Sequence, residues 1–146
     1  MRIKRLLCTL TMVILCMGGF DISNGSAESI EKAPANFVGV RYFHGNFRCV
    51  NCYNIEKYTK ETVEKYFQKE LDAGKIVFRI INVETKGNEH FMNDYQLYTK
   101  SVVLSLVKNG KEVKFDNLIK IWEYLGNEDA FSRYVKSEIE KYLKEL

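Results

Sequence analysis

The sequence predicts an α/β domain built on a mixed, four-stranded sheet with helices on both of its faces. From residue 36 onward, strand-like and helix-like stretches alternate, and the Asn109-Gly110 dipeptide between two strand-like runs signals a hairpin. The 146 residues fit one hydrophobic core. With 46% hydrophobic and 28% charged residues of both signs, the composition is that of an ordinary globular protein.

The first 27 residues are predicted to be a secretory signal peptide. Three basic residues within the first five positions precede the apolar run Leu6–Phe20, and the small residues Gly25 and Ala27 mark a cleavage site. Cleavage after Ala27 would remove three basic residues and one acidic residue, so the formal net charge would fall from +3 to +1 over the remaining 119 residues. We therefore expect an exported protein of the bacterial periplasm or another extracytoplasmic space, with residues 28–35 as a linker and 36–146 as the domain.

An uncleaved membrane anchor is the alternative for this segment. The apolar run is short for the roughly 20 residues that a spanning helix needs, so no membrane span is expected after cleavage. Cys8 and Cys16 fall within the predicted signal peptide and are interpreted as apolar fillers; lipid attachment at Cys16 is set aside because bulky Leu15 precedes it. The sequence has no cluster of basic residues interleaved with aromatics, so nucleic acid is not an expected partner.

Residues 36 to 84 predict a strand, a helix and a second strand. Apolar side chains alternate in "NFVGVRYF", residues 36 to 43, as in a strand. After the cysteines, an amphipathic helix is predicted, with Glu56/Lys60 and Glu61/Lys65 as exposed pairs and with the apolar positions Ile55, Val63, Phe67 and Leu71. "KIVFRIINVE", residues 75 to 84, is a nearly continuous apolar run rich in β-branched residues, which predicts a strand covered on both faces.

The following segment predicts a second helix and a hairpin. Asn88 is placed to cap a helix that carries Phe91, Tyr95 and Tyr98 on one face. In "SVVLSLVKNGKEVKF", residues 101 to 115, Asn109-Gly110 joins two strand-like runs.

Two more helices are expected near the C-terminus. Asp116 is placed to cap a short helix that Gly126 ends. Asn127 starts the last helix, whose apolar stripe consists of Phe131, Val135, Ile139, Tyr142, Leu143 and Leu146. These aromatic residues are assigned to the core.

Cys49 and Cys52, in "RCVNC", are the most informative residues. The loop between them is too short to constrain much of the unfolded chain, so a structural staple is a poor interpretation. A cysteine at a helix N-terminus faces unpaired N–H groups and the positive end of the helix dipole, and Arg48 is expected to add a neighbouring charge. Cys52, one turn along, can attack a mixed disulfide formed at Cys49. The pair therefore predicts catalytic thiol–disulfide exchange, with an inert disulfide as the alternative.

The order strand, CxxC helix, strand, helix, hairpin and helix over residues 36 to 146 resembles the thioredoxin fold, which carries its active site at the first strand-to-helix junction. More narrowly, "YFHGNFRCVNC", "NLIKIWEYLG" and "YVKSEIEKYL" resemble the ArsF-like family, thioredoxin-like proteins described as a nitrophenyl compound nitroreductase subunit. The resemblance implies three layers, a sheet in the order 2-1-3-4, and exchange with the protein thiols or disulfides of a dedicated redox partner. No cofactor is predicted, because nitro reduction needs an electron carrier and the sequence has no dinucleotide fingerprint.

The sequence departs from ordinary thioredoxins in two ways. Val50-Asn51 replaces Gly-Pro between the cysteines, and Arg48 stands where a tryptophan often precedes them. The cis-proline expected before the third strand is missing, because "TKSVV", residues 99 to 103, contains no proline and Pro34 is the chain's single one. In the family that proline docks substrates and hinders metal binding at the CxxC, so a metal-binding protein using this pair remains an alternative.

A metal site would need further ligands, for which His44 and His90 are the candidates. Their spacing from the cysteines matches no standard zinc finger, so no metal is predicted. The other interpretation makes His44 a loop residue bonded to the backbone and His90 a surface residue. Tyr53 stands where haem attachment at a CxxC requires histidine, which excludes that cofactor.

Three charged residues complete the site hypotheses. Glu56 could shuttle a proton to the buried thiol, although a surface pair with Lys60 is the favoured interpretation. Arg41 and Arg79, within predicted strands, are expected to lie at sheet edges or to reach solvent along their stems. The sequence thus predicts an exported thiol–disulfide oxidoreductase with Cys49 as nucleophile and Cys52 as resolving cysteine. A redox-inert, thioredoxin-like binding subunit is the main alternative.

Overall fold

Four strands form one mixed sheet in the order β2-β1-β3-β4. The computed structural model describes residues 34–146, which comprise β1 (Phe37–His44), α1 (Val50–Asp72), β2 (Ile76–Asn82), α2 (Phe91–Asp94), β3 (Ser101–Lys108), β4 (Lys111–Asn117), α3 (Ile121–Tyr124) and α4 (Glu128–Lys144). β1 and β2 are parallel, whereas β3 is antiparallel to both β1 and β4. The predicted mixed sheet and its order are confirmed. The predicted signal peptide, Cys8, Cys16 and the first part of the linker lie outside the described residues.

One face of the sheet is covered by α1 and α4, and the main core lies between this face and the two helices. Its largest fully buried side chains include Tyr42, Ile55, Phe131 and Ile139. The predicted start of α4 is confirmed, because the Asn127 side chain accepts a hydrogen bond from the N–H of Ala130 at 2.9 Å. Within residues 34–146, no helix combines the length and apolar character needed to cross a membrane.

The opposite face of the sheet is covered by the short helix α2 and the segment after it. Phe43 and Val103 of the sheet pack there against Tyr95 and Leu97. The prediction that Tyr98 continues this helical face is wrong, because α2 ends at Asp94 and Tyr98 is 94% exposed. The break follows from Gln96, whose positive φ of 51° cannot continue a right-handed helix.

The predicted cap of that helix is also wrong. Asn88 lies three residues before α2, and its side-chain amide donates to the Asn82 carbonyl at 3.0 Å. Asn88 therefore stabilises the turn after β2, because its side chain forms a hydrogen bond with the backbone there and not at a helix start.

The prediction that β2 is covered on both faces is wrong, although its predicted place at the edge of the sheet is confirmed. β2 is an edge strand with Arg79 and Ile80 exposed, so Arg79 lies at a sheet edge as expected. β3 lies between β1 and β4, and its residues 101 to 107 are all buried. A continuous apolar run indicates burial. It does not tell whether both faces of the strand are covered along its whole length.

The hairpin between β3 and β4 is confirmed. Asn109 and Gly110 have φ values of 53° and 74°, as a two-residue turn of the type favoured by Asn-Gly requires. Asp116 does not cap the next helix, because it belongs to β4 and its carboxylate accepts a hydrogen bond from the Tyr142 hydroxyl at 2.6 Å. The Asp116 carboxylate thus forms a tertiary hydrogen bond with α4, whereas the local sequence pattern predicted a helix cap.

Arg41 lies on the central strand β1, so the expectation of an edge position is wrong for it. Its side chain is only 17% exposed. Nη1 donates to the Tyr95 hydroxyl and to Ser105 Oγ, both at 2.8 Å, and to Glu112 Oε2 at 2.9 Å. The arginine lies beside Gly39, where a Cβ atom would be 3.3 Å from Arg41 Cζ. On this face of the sheet, no long helix covers Arg41 in the described part of the chain. The arginine stem and its three hydrogen-bond partners cover the sheet there instead.

Candidate active site at Cys49 and Cys52

Cys49 is the N-cap residue of α1 and follows the loop that leaves β1. Its backbone is extended, with φ −113° and ψ 169°, and the helix begins at Val50. Cys49 is partly exposed, whereas Cys52, in the first turn, is fully buried, and both are free thiols. Both cysteines therefore lie at the N-terminus of α1. Cys49, the N-cap, is open to solvent, and Cys52, in the first turn, faces the core.

Hydrogen bonds fix the geometry of this turn. The Cys49 N–H donates to Cys52 Sγ at 3.1 Å, and the Tyr53 N–H donates to the Cys49 carbonyl at 3.1 Å. From β1, the buried Tyr42 hydroxyl donates to the Cys52 carbonyl at 2.8 Å. The first turn of α1 is thus attached both to itself and to the sheet.

The pKa of Cys49 is lowered from its ordinary value. The main cause is the hydrogen bond with the Cys52 thiol, followed by the Cys52 N–H; the positive charge of Lys100 and the Asn51 N–H add to it, while desolvation acts in the opposite direction. A thiolate at Cys49 is therefore favoured by the helix start itself, by its neighbouring cysteine and by a distant lysine.

Lys100 is a site residue that sequence reasoning missed. It precedes β3, and its Nζ lies 5.7 Å from the centre of the Phe47 ring in the loop before Cys49. The available signal was the stretch "TKSVV" itself. Placing that stretch before the third strand also places its lysine at the end of the sheet where β1 leads into the CxxC.

Arg48 and Glu56 form an ion pair along α1, which corrects two predictions. Glu56 does not pair with Lys60, whose ammonium instead lies 3.8 Å from Glu64. The charge that most lowers the pKa of Cys49 is that of Lys100, not that of Arg48. The Arg48 guanidinium is paired with Glu56, and its Cζ lies 4.6 Å from the centre of the Tyr53 ring.

No protein-family model matches the chain, and no curated protein does. Among solved structures, the chain is similar to thioredoxin O2 from Arabidopsis thaliana in the oxidized state, with 13% identity over 66% of this chain and 76% of that chain and a TM-score of 0.38. It is also similar to Fasciola hepatica thioredoxin, with 22% identity over 63% of this chain and 81% of that chain and a TM-score of 0.35. Likeness at this level carries no argument about activity.

The sheet order, the strand directions and the CxxC at the start of the first helix decide the fold. It is thioredoxin-like. In this thioredoxin-like domain, the segment before β3 contains Thr99 and Lys100, with no proline. The charge beside Cys49 therefore comes from the segment that carries the cis-proline in the fold that the sequence resembles.

The thioredoxin-like domain does not bring the two histidines into one metal site with the cysteines. Nδ1 of His44 lies 2.9 Å from the Gly45 carbonyl, and Nδ1 of His90 lies 2.6 Å from Asp94. In the part of the chain that the structure describes, no three His, Cys, Asp or Glu side chains are placed to hold one metal ion. His44 thus has the backbone partner that the alternative interpretation expected, although it ends β1 and does not lie in a loop, and His90 is exposed at the surface.

Exposed apolar side chains lie in the segments next to Cys49. Phe47 and Val50 are each 75% exposed, and Tyr53 and Tyr98 are exposed as well. Single exposed apolar residues are common, but several in the segments flanking Cys49 form a surface suited to protein contact.

Proposed function

We propose that this chain is an exported thiol–disulfide oxidoreductase that acts through Cys49 and Cys52 on the protein thiols or disulfides of a dedicated redox partner. One observation carries the proposal. Cys49 lies at the start of α1, is partly exposed and has a lowered pKa. The buried Cys52 lies directly behind it, and its Sγ accepts a hydrogen bond from the Cys49 N–H. The helix start supports a thiolate nucleophile, and the spacing supports a resolving thiol within reach of the same sulfur.

The exchange needs only two thiols and a substrate disulfide. The Cys49 thiolate attacks one sulfur of the disulfide RS–SR′, forming a Cys49–SR mixed disulfide and releasing R′S⁻. Cys52 then loses its proton and attacks Cys49 Sγ, which forms the Cys49–Cys52 disulfide and releases RS⁻. The chain gives up two electrons and the substrate gains two, and the reverse sequence oxidises a substrate dithiol.

The surroundings of Cys49 support a protein as the substrate. The exposed apolar residues Phe47, Val50 and Tyr53 flank the nucleophile, and Lys100 adds one positive charge. Such a surface suits a partner segment that presents apolar side chains around its own disulfide. The resemblance to the ArsF-like family supports a dedicated partner over a broad range of substrates.

Trapping experiments test the assignment of roles. Cys52→Ser should accumulate mixed disulfides between Cys49 and partner proteins, because the resolving thiol is gone. Cys49→Ser should accumulate almost none, since its remaining thiol is buried. Equal trapping by both variants, or none by either, would favour a redox-inert binding subunit instead.

Export is tested separately by the intact mass of the native protein. We expect a mature chain that begins near Glu28 and is recovered outside the cytoplasm, because a basic start, an apolar run and a small-residue site precede it. A full-length chain retained in the cytoplasm would contradict both the cleavage and the localisation.

A further inference from the structure

We propose that Glu56 is a positioning residue that pairs with the Arg48 guanidinium beside the CxxC turn and thereby limits the effect of that charge on the reactivity of Cys49. This inference deepens the proposed function, because it concerns what sets the thiolate population at the same cysteine. It rests on where Arg48, the immediate neighbour of Cys49, places its charge.

The guanidinium of Arg48 has partners on α1 and on β1. It binds Glu56 and stacks on Tyr53, with Cζ 4.6 Å from that ring centre and 5.9 Å from the ring centre of Tyr42. Glu56 comes seven residues after Cys49, and a helix rises 1.5 Å per residue, so its backbone lies about 10 Å along the axis from the N-cap. The side chain of Arg48 therefore lies against the first two turns of α1, with its charge paired to Glu56.

Glu56 is the charged group that holds the arginine there. The side chains of Arg48 and Glu56 are only 18% and 28% exposed, so the pair is partly shielded from solvent. Arg48 Nε is buried without a hydrogen-bond partner in the described part of the chain. Because its own hydrogen bonding is incomplete, the guanidinium is held there by the carboxylate and the aromatic rings, and the orientation should change when the carboxylate is lost.

The other groups that lower the pKa of Cys49 are separate from the Arg48–Glu56 ion pair. They include the Cys52 thiol and Lys100, and neither belongs to that ion pair. Burial raises the pKa of Tyr42, so its hydroxyl stays neutral beside the guanidinium. With Glu56 ionised, the charge of Arg48 is neutralised locally. With Glu56 neutral, that charge is free to act on the thiolate at the helix start.

The test is the alkylation rate of Cys49 in the full chain at mildly acidic pH. Iodoacetamide is the probe, and peptide mass analysis identifies each labelled cysteine. Glu56→Gln should raise the rate about threefold, because an unpaired unit charge about 6 Å from the sulfur favours the thiolate by about that factor in a water-like dielectric. The rate-against-pH profile should move to lower pH.

Two further variants make the result specific. Glu56→Gln should have little effect in an Arg48→Gln background, because no guanidinium is left to release. Glu61→Gln is the matched control on the same helix, where Glu61 lies 3.9 Å from Lys57, and it should leave the rate unchanged. Far-ultraviolet circular dichroism and thermal unfolding show whether each variant keeps its fold.

Three outcomes would overturn the inference: an unchanged rate in Glu56→Gln, a slower rate, or an equal increase with and without Arg48. The last would mean that Glu56 acts directly on the thiolate. Alkylation needs no redox partner, so this test and the trapping test fail independently. A threefold change without any trapped partner would retain the positioning role of Glu56 and remove the oxidoreductase function.

Discussion

The hydroxyl of Tyr42 should stabilise the reactive turn, and Tyr42→Phe removes that hydroxyl alone. Tyr42 is fully buried on β1, and its hydroxyl donates to the Cys52 carbonyl at 2.8 Å. Phenylalanine keeps the ring, so the packing of the main core is preserved. The variant therefore isolates one hydrogen bond between the sheet and the first turn of α1.

The expected cost is about 1 kcal/mol of unfolding free energy, the net value of a typical intramolecular hydrogen bond. It should not be much larger, because the Cys52 carbonyl keeps its partner within α1, so no acceptor is orphaned. A loss of about 1 kcal/mol multiplies the population of open states by about five. For a domain of this size it corresponds to a fall of about 4 °C in Tm.

Two measurements report this loss. Urea denaturation gives the change in unfolding free energy. Alkylation of Cys52 under native conditions reports the opening of the first turn, because that thiol is fully buried in the closed state. The labelling rate of Cys52 should rise about fivefold in Tyr42→Phe, in line with the lost bond.

Tyr98→Phe is the matched control, because the Tyr98 side chain is 94% exposed. Its effect should be within about 0.5 kcal/mol of zero, as for most surface substitutions. If Tyr42→Phe costs no more than this control, or if Cys52 labelling is unchanged, the bond does not stabilise the turn and the reasoning is refuted.

Two other substitutions test the site and the sheet. Lys100→Gln should raise the pKa of Cys49 and slow its alkylation at mildly acidic pH, because a charge that favours the thiolate is lost, whereas Lys100→Arg should not. Gly39→Ala should cost about 1–3 kcal/mol in urea denaturation, since its Cβ would lie 2.5 Å from Ser105 Oγ. The cost of Gly39→Ala should fall in a Ser105→Ala background, and an unchanged cost would contradict the proposed clash.

Local signals in the sequence predicted the elements of the fold and the placement of the CxxC. Asn109-Gly110 specified a turn with two positive φ values, and Asn127 specified a helix start, because each depends on its own backbone geometry. The element order then limited the sheet to few topologies, of which the observed order is one. These features need no knowledge of distant partners.

The errors concern residues whose partners are distant in the sequence. Asp116 bonds to Tyr142, and Arg41 bonds to Ser105 and Glu112, so a local cap and an edge position were the wrong expectations. The apolar run of β2 also did not show that Arg79 and Ile80 would be exposed. Tertiary hydrogen bonds and sheet position decided these cases.

Charges at the active site show the same limit. Arg48 adjoins Cys49 in the sequence, yet its charge is taken up by Glu56, which is eight residues away. Lys100 is half the domain away, yet it lowers the pKa of Cys49. Electrostatic influence depends on distance in space and on whether a charge is already paired, and adjacency in the chain determines neither.

The reactivity of Cys49 and the local stability of the first turn of α1 depend on the same contacts. The bond with the Cys52 thiol and the N–H groups of the turn lower the pKa of Cys49, and Tyr42 attaches that turn to β1. When the turn opens, these donors move away together, so the pKa of Cys49 returns toward its ordinary value. In the closed turn, Cys52 also lies directly behind Cys49. In the proposed exchange, the thiolate would therefore be most favoured in the conformation in which the resolving thiol is already in place, and the lifetime of a mixed disulfide would be short.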